Sequence, residues 1–282
     1  MRLITWNVQW CRGVDGRVDP RRIVEHARAL ADFDVICLQE VAANFPALPG
    51  SSGENQFVLL AGLLPDYTPI PGAAVDAPAP GGDRRVFGNM ILSRLPVGQV
   101  LRIQLPWPSD PGKRSMPRLL IEATIEAPFG SVRVMTTHLE YYSPAQRGAQ
   151  VEAIRSRHVE ACAHARRDTM RDDSEGPFHS FEAAAATILT GDFNYRPDDP
   201  LHARMQAPFD DGTPALVDAW TQAHPGARHQ HTNGVHDRDQ WPAPYTCDFV
   251  YVSEDLLPGI RALSVDPDTQ ASDHQPVLIE FD

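Results

Sequence analysis

A chain of 282 residues with 42% hydrophobic and 22% charged side chains has the composition of a globular protein and can bury a sizeable core. Its formal charge of −12 argues against a protein that coats nucleic acid, because phosphate neutralisation by Lys and Arg supplies most non-specific affinity. No apolar run approaches the roughly 20 residues that span a bilayer, and Met1 to Trp6 enters a strand pattern without a signal-peptide core, so a cytoplasmic protein is expected.

Residues 3–8 read as a buried strand that delivers Asn7 at its end, with Gln9 facing the same way if the strand continues. Asp19-Pro20 offers a helix N-cap followed by proline at the first helical position, and Ile23, Val24, Ala27, Leu30 and Ala31 give the helix an apolar face. Asp34 to Leu38 is a second apolar run, ending in Gln39-Glu40. A β-α-β opening of this kind favours parallel strands whose C-terminal ends share a rim, which brings Asn7 and Glu40 together. Cys11, Cys37, Cys162 and Cys247 show no C-x-x-C pairing, so neither disulfides nor a zinc cluster is implied.

Gln56 to Leu64 patterns as a helix, and the Pro-, Gly- and Ala-rich stretch from Pro65 to Gly82 as an irregular loop. Strands are expected at 86–93, 97–104, 118–126 and 131–137, with a mobile loop from Trp107 to Pro117. The last of these strands runs into His138-Leu139-Glu140, after which Ser143-Pro144-Ala145-Gln146 opens a helix in a capping-box pattern. Residues 168–180 are acidic and loop-like.

Ala186 to Leu189 then lead into Thr190-Gly191-Asp192-Phe193-Asn194. At strand spacing Asp192 and Asn194 point to one side and converge on a small anion, while Phe193 packs the other way. A short helix around 215–223 precedes a stretch holding His224, His229, His231 and His236. Their spacing fits no zinc pattern, and the stretch reads as a solvated loop able to contact substrate. Cys247 to Val252 is a strand with Asp248 inside it, and Ser272-Asp273-His274 lies between final strands at 259–265 and 276–281. Without an internal repeat or a long linker, one domain over 1–282 is expected.

Each of these polar groups alone has an ordinary reading: Glu40 as a solvated strand end, Asp248 as a turn cap, His138 as a satisfied interior histidine. Together they follow strand after strand in the order N, E, H, D-x-N, D-H. That order, in the motifs TWNVQW, LQE, TTHLE, TGDFN, CDFVYV and SDHQPV from Thr5 to Val277, resembles the endonuclease/exonuclease/phosphatase superfamily. The resemblance implies an α/β fold, a four-layer sandwich of two mixed β-sheets packed face to face with helices on the outside. It further implies hydrolysis of a phosphate ester that depends on Mg²⁺ or Mn²⁺.

Carried over residue by residue, the resemblance makes Glu40 the main metal ligand, with Asn7 at the metal or the phosphate and Asp273 supporting the metal directly or through water. Asp192 would orient and deprotonate the attacking water, and Asn194 would hold the phosphoryl group. His274 would donate to a non-bridging oxygen, with Asp248 fixing its tautomer, and His138 would donate to the phosphate or help the leaving oxygen. Gln9, Arg84 and Arg118 are substrate-contact candidates, with Arg85, Lys113 and Arg114 as further basic ones.

The THLE motif followed by Arg147 is similar to the tyrosyl-DNA phosphodiesterase and sphingomyelinase branches, whereas Gln9 stands where the endonuclease and tyrosyl-DNA phosphodiesterase branches usually carry Asp. With the acidic net charge, this favours a small or soluble phosphate ester as partner. A nuclease or DNA-end-processing phosphodiesterase is the alternative, and a non-catalytic phosphate-binding protein the alternative of another class. No obligate protein partner is implied.

Overall fold

The structure, a computed structural model, describes residues 1–166, 176–179, 181 and 183–282. The acidic stretch expected as a loop at 168–180 lies mostly outside the described residues. One sheet holds β1 (Arg2–Asn7), β2 (Val35–Ala43), β3 (Thr68–Pro78), β4 (Arg84–Ser93), β11 (Ile260–Val265) and β12 (Val277–Phe281), in the spatial order β11-β12-β1-β2-β4-β3. The other holds β5 (Val97–Gln104), β6 (Leu119–Ala127), β7 (Gly130–His138), β8 (Thr187–Asp192), β9 (Leu216–Asp218) and β10 (Asp248–Ser253), in the order β5-β6-β7-β8-β10-β9. Both sheets are mixed: β1–β2 and β7–β8 are parallel and the remaining pairs antiparallel.

The parallel pairs are joined by helices, α1 (Pro20–Leu30) after β1 and α3 (Pro144–Arg166) after β7. Asp19 caps α1 by accepting from the Arg21 and Arg22 amides, with Pro20 at the first helical position. α2 (Gln56–Leu63) joins α1 against the first sheet, while α4 (Pro200–Gln206) joins α3 against the second. No helix among the described residues is long and apolar enough to cross a membrane.

Side chains alternate between two environments along each strand. Leu3, Val35, Cys37, Val134, Ile188 and Val250 pack in the layer between the sheets. Ile4, Trp6, Ile36 and Leu38 face α1 and α2, and Met135, Leu189, Phe249 and Tyr251 face α3 and α4. Fully burying each large apolar side chain contributes about 1.5–3 kcal/mol, which holds the register of every strand. Counting in twos from the inward set reaches Asn7, His138, Asp192 and Asp248. The period that builds the core therefore also aims four polar side chains into the mouth between the sheets.

Glu40 does not follow that count, which reaches Gln39 instead. Gln39 donates to Thr5 Oγ1 (3.1 Å) and to Thr136 Oγ1 (2.9 Å), tying the two sheets together. At Glu40 the backbone turns left-handed, with φ +61°, and the pairing of β2 with β4 shifts register between Leu38 and Val41. This bulge re-aims the carboxylate into the mouth.

Several expectations are corrected by the fold. Pro65 to Gly82 is no irregular loop: it contains β3, the outermost strand of its sheet, where Pro69, Pro71 and Pro78 are tolerated because one edge has no ladder partner. The 215–223 helix is half strand, β9 followed by α5 (Ala219–Ala223), because Leu216 pairs with Ser253 and Val217 with Val252 before Asp218 caps the helix. Trp107 to Pro117 lacks regular structure as expected, but α3 pins it: Ser143 Oγ donates to Asp110 (2.5 Å), and Gln146 and Gln150 donate to the Pro108 and Pro106 carbonyls (2.7 and 3.2 Å).

Candidate active site

The C-terminal ends of β1, β2, β7 and β8 open on a cavity of about 470 Å³ whose lining includes Glu40, Arg118, His138, Asp192, Asp273 and His274. Asn7, at the end of β1, donates its amide N–H groups to Glu40 Oε1 (3.1 Å) and Asp192 Oδ2 (3.0 Å), linking the two sheets across the mouth. His138 sits between the same carboxylates, Nδ1 at 3.8 Å from Glu40 and Nε2 at 3.5 Å from Asp192. Burial, reinforced by the Arg118 charge, holds His138 well below the ordinary histidine range, so its ring is neutral.

Asp192 is brought to this position by Gly191. A Cβ on Gly191 would lie 1.9 Å from the Thr137 carbonyl of β7, and the backbone there has φ +143°. Only glycine lets β8 close on β7 at that point. Burial first, and the Asp248 charge second, push Asp192 up to about 6. Its Oδ1 accepts from the Asn194 backbone N–H (2.9 Å), and Asn194, in a left-handed conformation at φ +52°, turns its side chain to donate to the Leu139 carbonyl (2.9 Å). The two residues thus meet through a side-chain turn, not through continued strand geometry; Phe193 packs on the far side as expected.

His274 forms the opposite wall. Its Nδ1 lies 2.8 Å from Asp248 Oδ2, and its Nε2 faces Asp192 Oδ2 at 3.8 Å. Burial opposes the charged ring, but the surrounding carboxylates, Asp248 foremost, outweigh it and raise His274 well above the ordinary histidine range. Thr232 donates its hydroxyl to the same Asp248 oxygen (2.6 Å). Asn233 places its amide 2.8 Å from His274 Nε2 while its Oδ1 is buried without a partner among the described residues. Because a protonated imidazole presents N–H on both nitrogens, the pair is satisfied with that Oδ1 turned onto Nε2.

Glu40 has the character of a cation ligand. It accepts one side-chain bond, from Asn7, and burial, followed by the Asp273 charge, pushes it up to about 7. A half-buried carboxylate so destabilised as an anion, with room beside it in an oxygen-rich cavity, fits a hard divalent ion. Asp192, Cys247, Asp248 and His274 also lie close enough to surround an ion. That group fits poorly, because burial keeps the Cys247 thiol well above its ordinary range, hence protonated, and the histidine and Asp248 are spent on each other.

The sequence profile of the Endonuclease/Exonuclease/phosphatase family matches residues 4–274. The chain belongs to this family. Members hydrolyse phosphate esters. An endonuclease/exonuclease/phosphatase from Beutenbergia cavernae DSM 12333 is 28% identical, with a TM-score of 0.68 over 99% of this chain and 70% of that one. The mannosyl-6-phosphatase Bt3783 of Bacteroides thetaiotaomicron VPI-5482, at 16% identity, has a TM-score of 0.69 over 100% of this chain and 99% of that one. A humanised D. rerio TDP2 at 17% identity gives 0.64, covering 100% of this chain and 98% of its own. These last two share the fold. No curated protein matches the chain.

In this family member the substrate candidates divide. Arg118 lines the cavity, buried, with Nε 3.3 Å from Glu140 and Nη1 making no hydrogen bond among the described residues. Arg114 lines it too. Arg84 does not: it pairs with Asp76 (2.7 Å) at the first residue of β4, both side chains more than half exposed. Gln9 is not carried by a continuing strand. The chain enters a tight turn after β1, with φ +44° at Gln9, and the side chain donates to Asp273 Oδ2 (2.9 Å). The His224–His236 stretch is no freely solvated loop. His224, His229 and His236 are bonded to the Leu263 carbonyl (2.7 Å), Asp218 (2.6 Å) and the Pro267 carbonyl (2.7 Å). Sequence reasoning missed Thr232, Asn233, Gln240 and Trp241, which converge on Asp248, His274 and Asp273 from a segment with no periodicity to mark it.

Proposed function

We propose that this protein hydrolyses a phosphate ester, with preference for small or soluble esters, by in-line attack of a water activated by Asp192. The observation that carries the reading is the placement of one carboxylate, pushed up to about 6, between a neutral histidine and a histidine held charged. A base poised near neutral pH accepts the water proton as its oxygen bonds to phosphorus. His274, held in orientation by Asp248, shifts its Nε2–H from Asn233 to a non-bridging oxygen as charge builds there. His138, being neutral, donates an N–H to a phosphoryl oxygen and keeps its own proton. Arg118, which lines the cavity, sets its guanidinium charge beside the same group, and Asn194 fixes the angle of the Asp192 carboxylate.

Glu40 would hold Mg²⁺ or Mn²⁺, with Asp273 in support, while Asn7, its oxygen taken by the Gln9 backbone N–H (3.0 Å), orients the Glu40 carboxylate through its side-chain N–H and is not itself a ligand. What a divalent ion supplies when bound is Lewis-acid polarisation of the phosphoryl oxygens and neutralisation of charge on the departing one.

The test is turnover of bis-p-nitrophenyl phosphate, p-nitrophenyl phosphate, and single- and double-stranded DNA with Mg²⁺, with Mn²⁺ and with EDTA. Asp192→Asn, Glu40→Gln and His274→Ala are each expected to lose about 10²–10⁴-fold in kcat while staying folded. Activity surviving all three, or insensitive to EDTA, would refute the reading. A steep fall of DNA cleavage with salt would point to nucleic acid as the substrate.

A further inference from the structure

Beyond the catalytic cavity runs a second groove of about 780 Å³, lined among others by Arg147, Arg196, Asp199 and Pro242. The two spaces share Tyr141, Tyr142, Asn194, Trp241 and Tyr245, so these residues form their common wall. Trp241 and Tyr141 meet edge to face, ring centroids 6.0 Å apart and planes at 72°, joining the segment before α3 to the segment before β10. Tyr245 also meets Trp241 edge to face, with ring centroids 5.9 Å apart.

Trp241 is fastened unusually well for a loop residue. Its indole Nε1–H donates to Asp273 Oδ2 at 2.9 Å, the oxygen that also accepts from Gln9 (2.9 Å) and Gln240 (3.2 Å). Its backbone N–H donates to the Asp237 carbonyl (3.0 Å), and Gln240 is held by Asp237 Oδ1 (3.0 Å). Gly234 leaves the space the ring needs: a Cβ there would lie 2.5 Å from Trp241 Cβ, φ is +66°, and its N–H donates to the Asp273 carbonyl. Arg12 donates to Gln9 Oε1 (3.3 Å), which sets the Gln9 amide so that its N–H faces Asp273. One carboxylate oxygen with three N–H donors is saturated, so this face of Asp273 is committed to the loop.

We propose that Trp241 is a specificity-determining residue: a partition, hung on Asp273 and braced by Tyr141, that separates the phosphate cavity from the second groove and restricts esters with ring-sized groups. The inference rests on the phosphate-ester reading above. Both ring contacts of Trp241 are edge to face and its N–H is occupied, so the half-buried indole is held in place as a wall. Removing it joins the two spaces and admits a bulky ester group into the groove.

The test uses the whole chain and reads binding apart from turnover. Affinities for dimethyl phosphate and diphenyl phosphate are measured by isothermal titration calorimetry, alongside kcat/KM for methyl p-nitrophenyl phosphate and bis-p-nitrophenyl phosphate. Trp241→Ala is expected to raise the bulky-to-small ratio about tenfold in both measurements, the scale of relieving a steric block in a pocket. Trp241→Phe keeps a ring but loses the N–H to Asp273 and is expected to raise the ratio by about threefold, a partial loosening. A ratio that is unchanged or lower in Trp241→Ala overturns the proposal, the lower value marking a stacking platform. If neither diester binds while a phosphate monoester is still hydrolysed, the partition fails and the hydrolase reading stands. A shifted binding ratio without turnover supports the partition and refutes the hydrolase reading.

Discussion

Replacing Asp248 by Asn tests the link between geometry and catalysis most directly. The carboxylate is 3% exposed, its Oδ2 is 2.8 Å from His274 Nδ1, and Thr232 donates to the same oxygen at 2.6 Å. The substitution keeps the shape and the Thr232 bond but removes the charge. Two unit charges about 4 Å apart attract by about 4 kcal/mol at an effective dielectric near 20. Asp192, 3.8 Å from Nε2, replaces part of that attraction. A net loss of about 2–3 kcal/mol at the transition state corresponds to a fall of roughly 10²-fold in kcat/KM. The pH dependence carries the sign. His274 acts protonated, and Asp248 raises its pKa, so without that charge the ring loses its proton sooner and the alkaline limb of the rate profile moves to lower pH. The assay is the pH profile of kcat/KM on a small diester, with thermal unfolding to confirm the fold. A loss below about tenfold with an unmoved alkaline limb would refute the assignment of Asp248 as the group that holds His274 charged.

His158, on the buried face of α3, bonds the Pro214 carbonyl (2.9 Å) and Arg133 of β7 (2.8 Å), and burial above all lowers it from 6.5 to about 4. Because the unfolded chain binds the proton first, stability is full above pH 6.5 and falls as pH drops towards 4, by about 3 kcal/mol in all. Urea unfolding of the wild type and of His158→Asn should therefore converge on acidification; parallel curves would exclude His158 as the titrating group. Gly191→Ala drives a methyl group into the Thr137 carbonyl and is expected to cost more than ~3 kcal/mol or abolish soluble expression. Gly62→Ala, in α2 with nothing near the added Cβ, should instead gain about 0.5–1 kcal/mol, so similar melting points for the two variants would contradict the close approach of β7 and β8.

What could be read from the chain alone is the alternation that builds the sheets and the residues that alternation carries. Asn7, His138, Asp192 and Asp248 stand in phase with the inward apolar positions of their own strands, so a local period aims each of them without reference to any other element. Family resemblance then supplied their order and roles. Prolines hid β3, because composition marks a loop while edge position makes the same prolines harmless, and edge position is a property of the assembled sheet. Glu40 reaches the site only through a bulge in the pairing of β2 with β4, which depends on a partner some 50 residues away. The same holds for Trp241, Gln240 and Asn233. Nothing periodic marks them, since an irregular segment is positioned by what it docks against: here Asp273, His274 and Tyr141, all remote along the chain. Strand-borne groups were thus determined by local sequence, whereas the loop-borne groups and the boundaries of the cavity were decided only when the two sheets closed on each other.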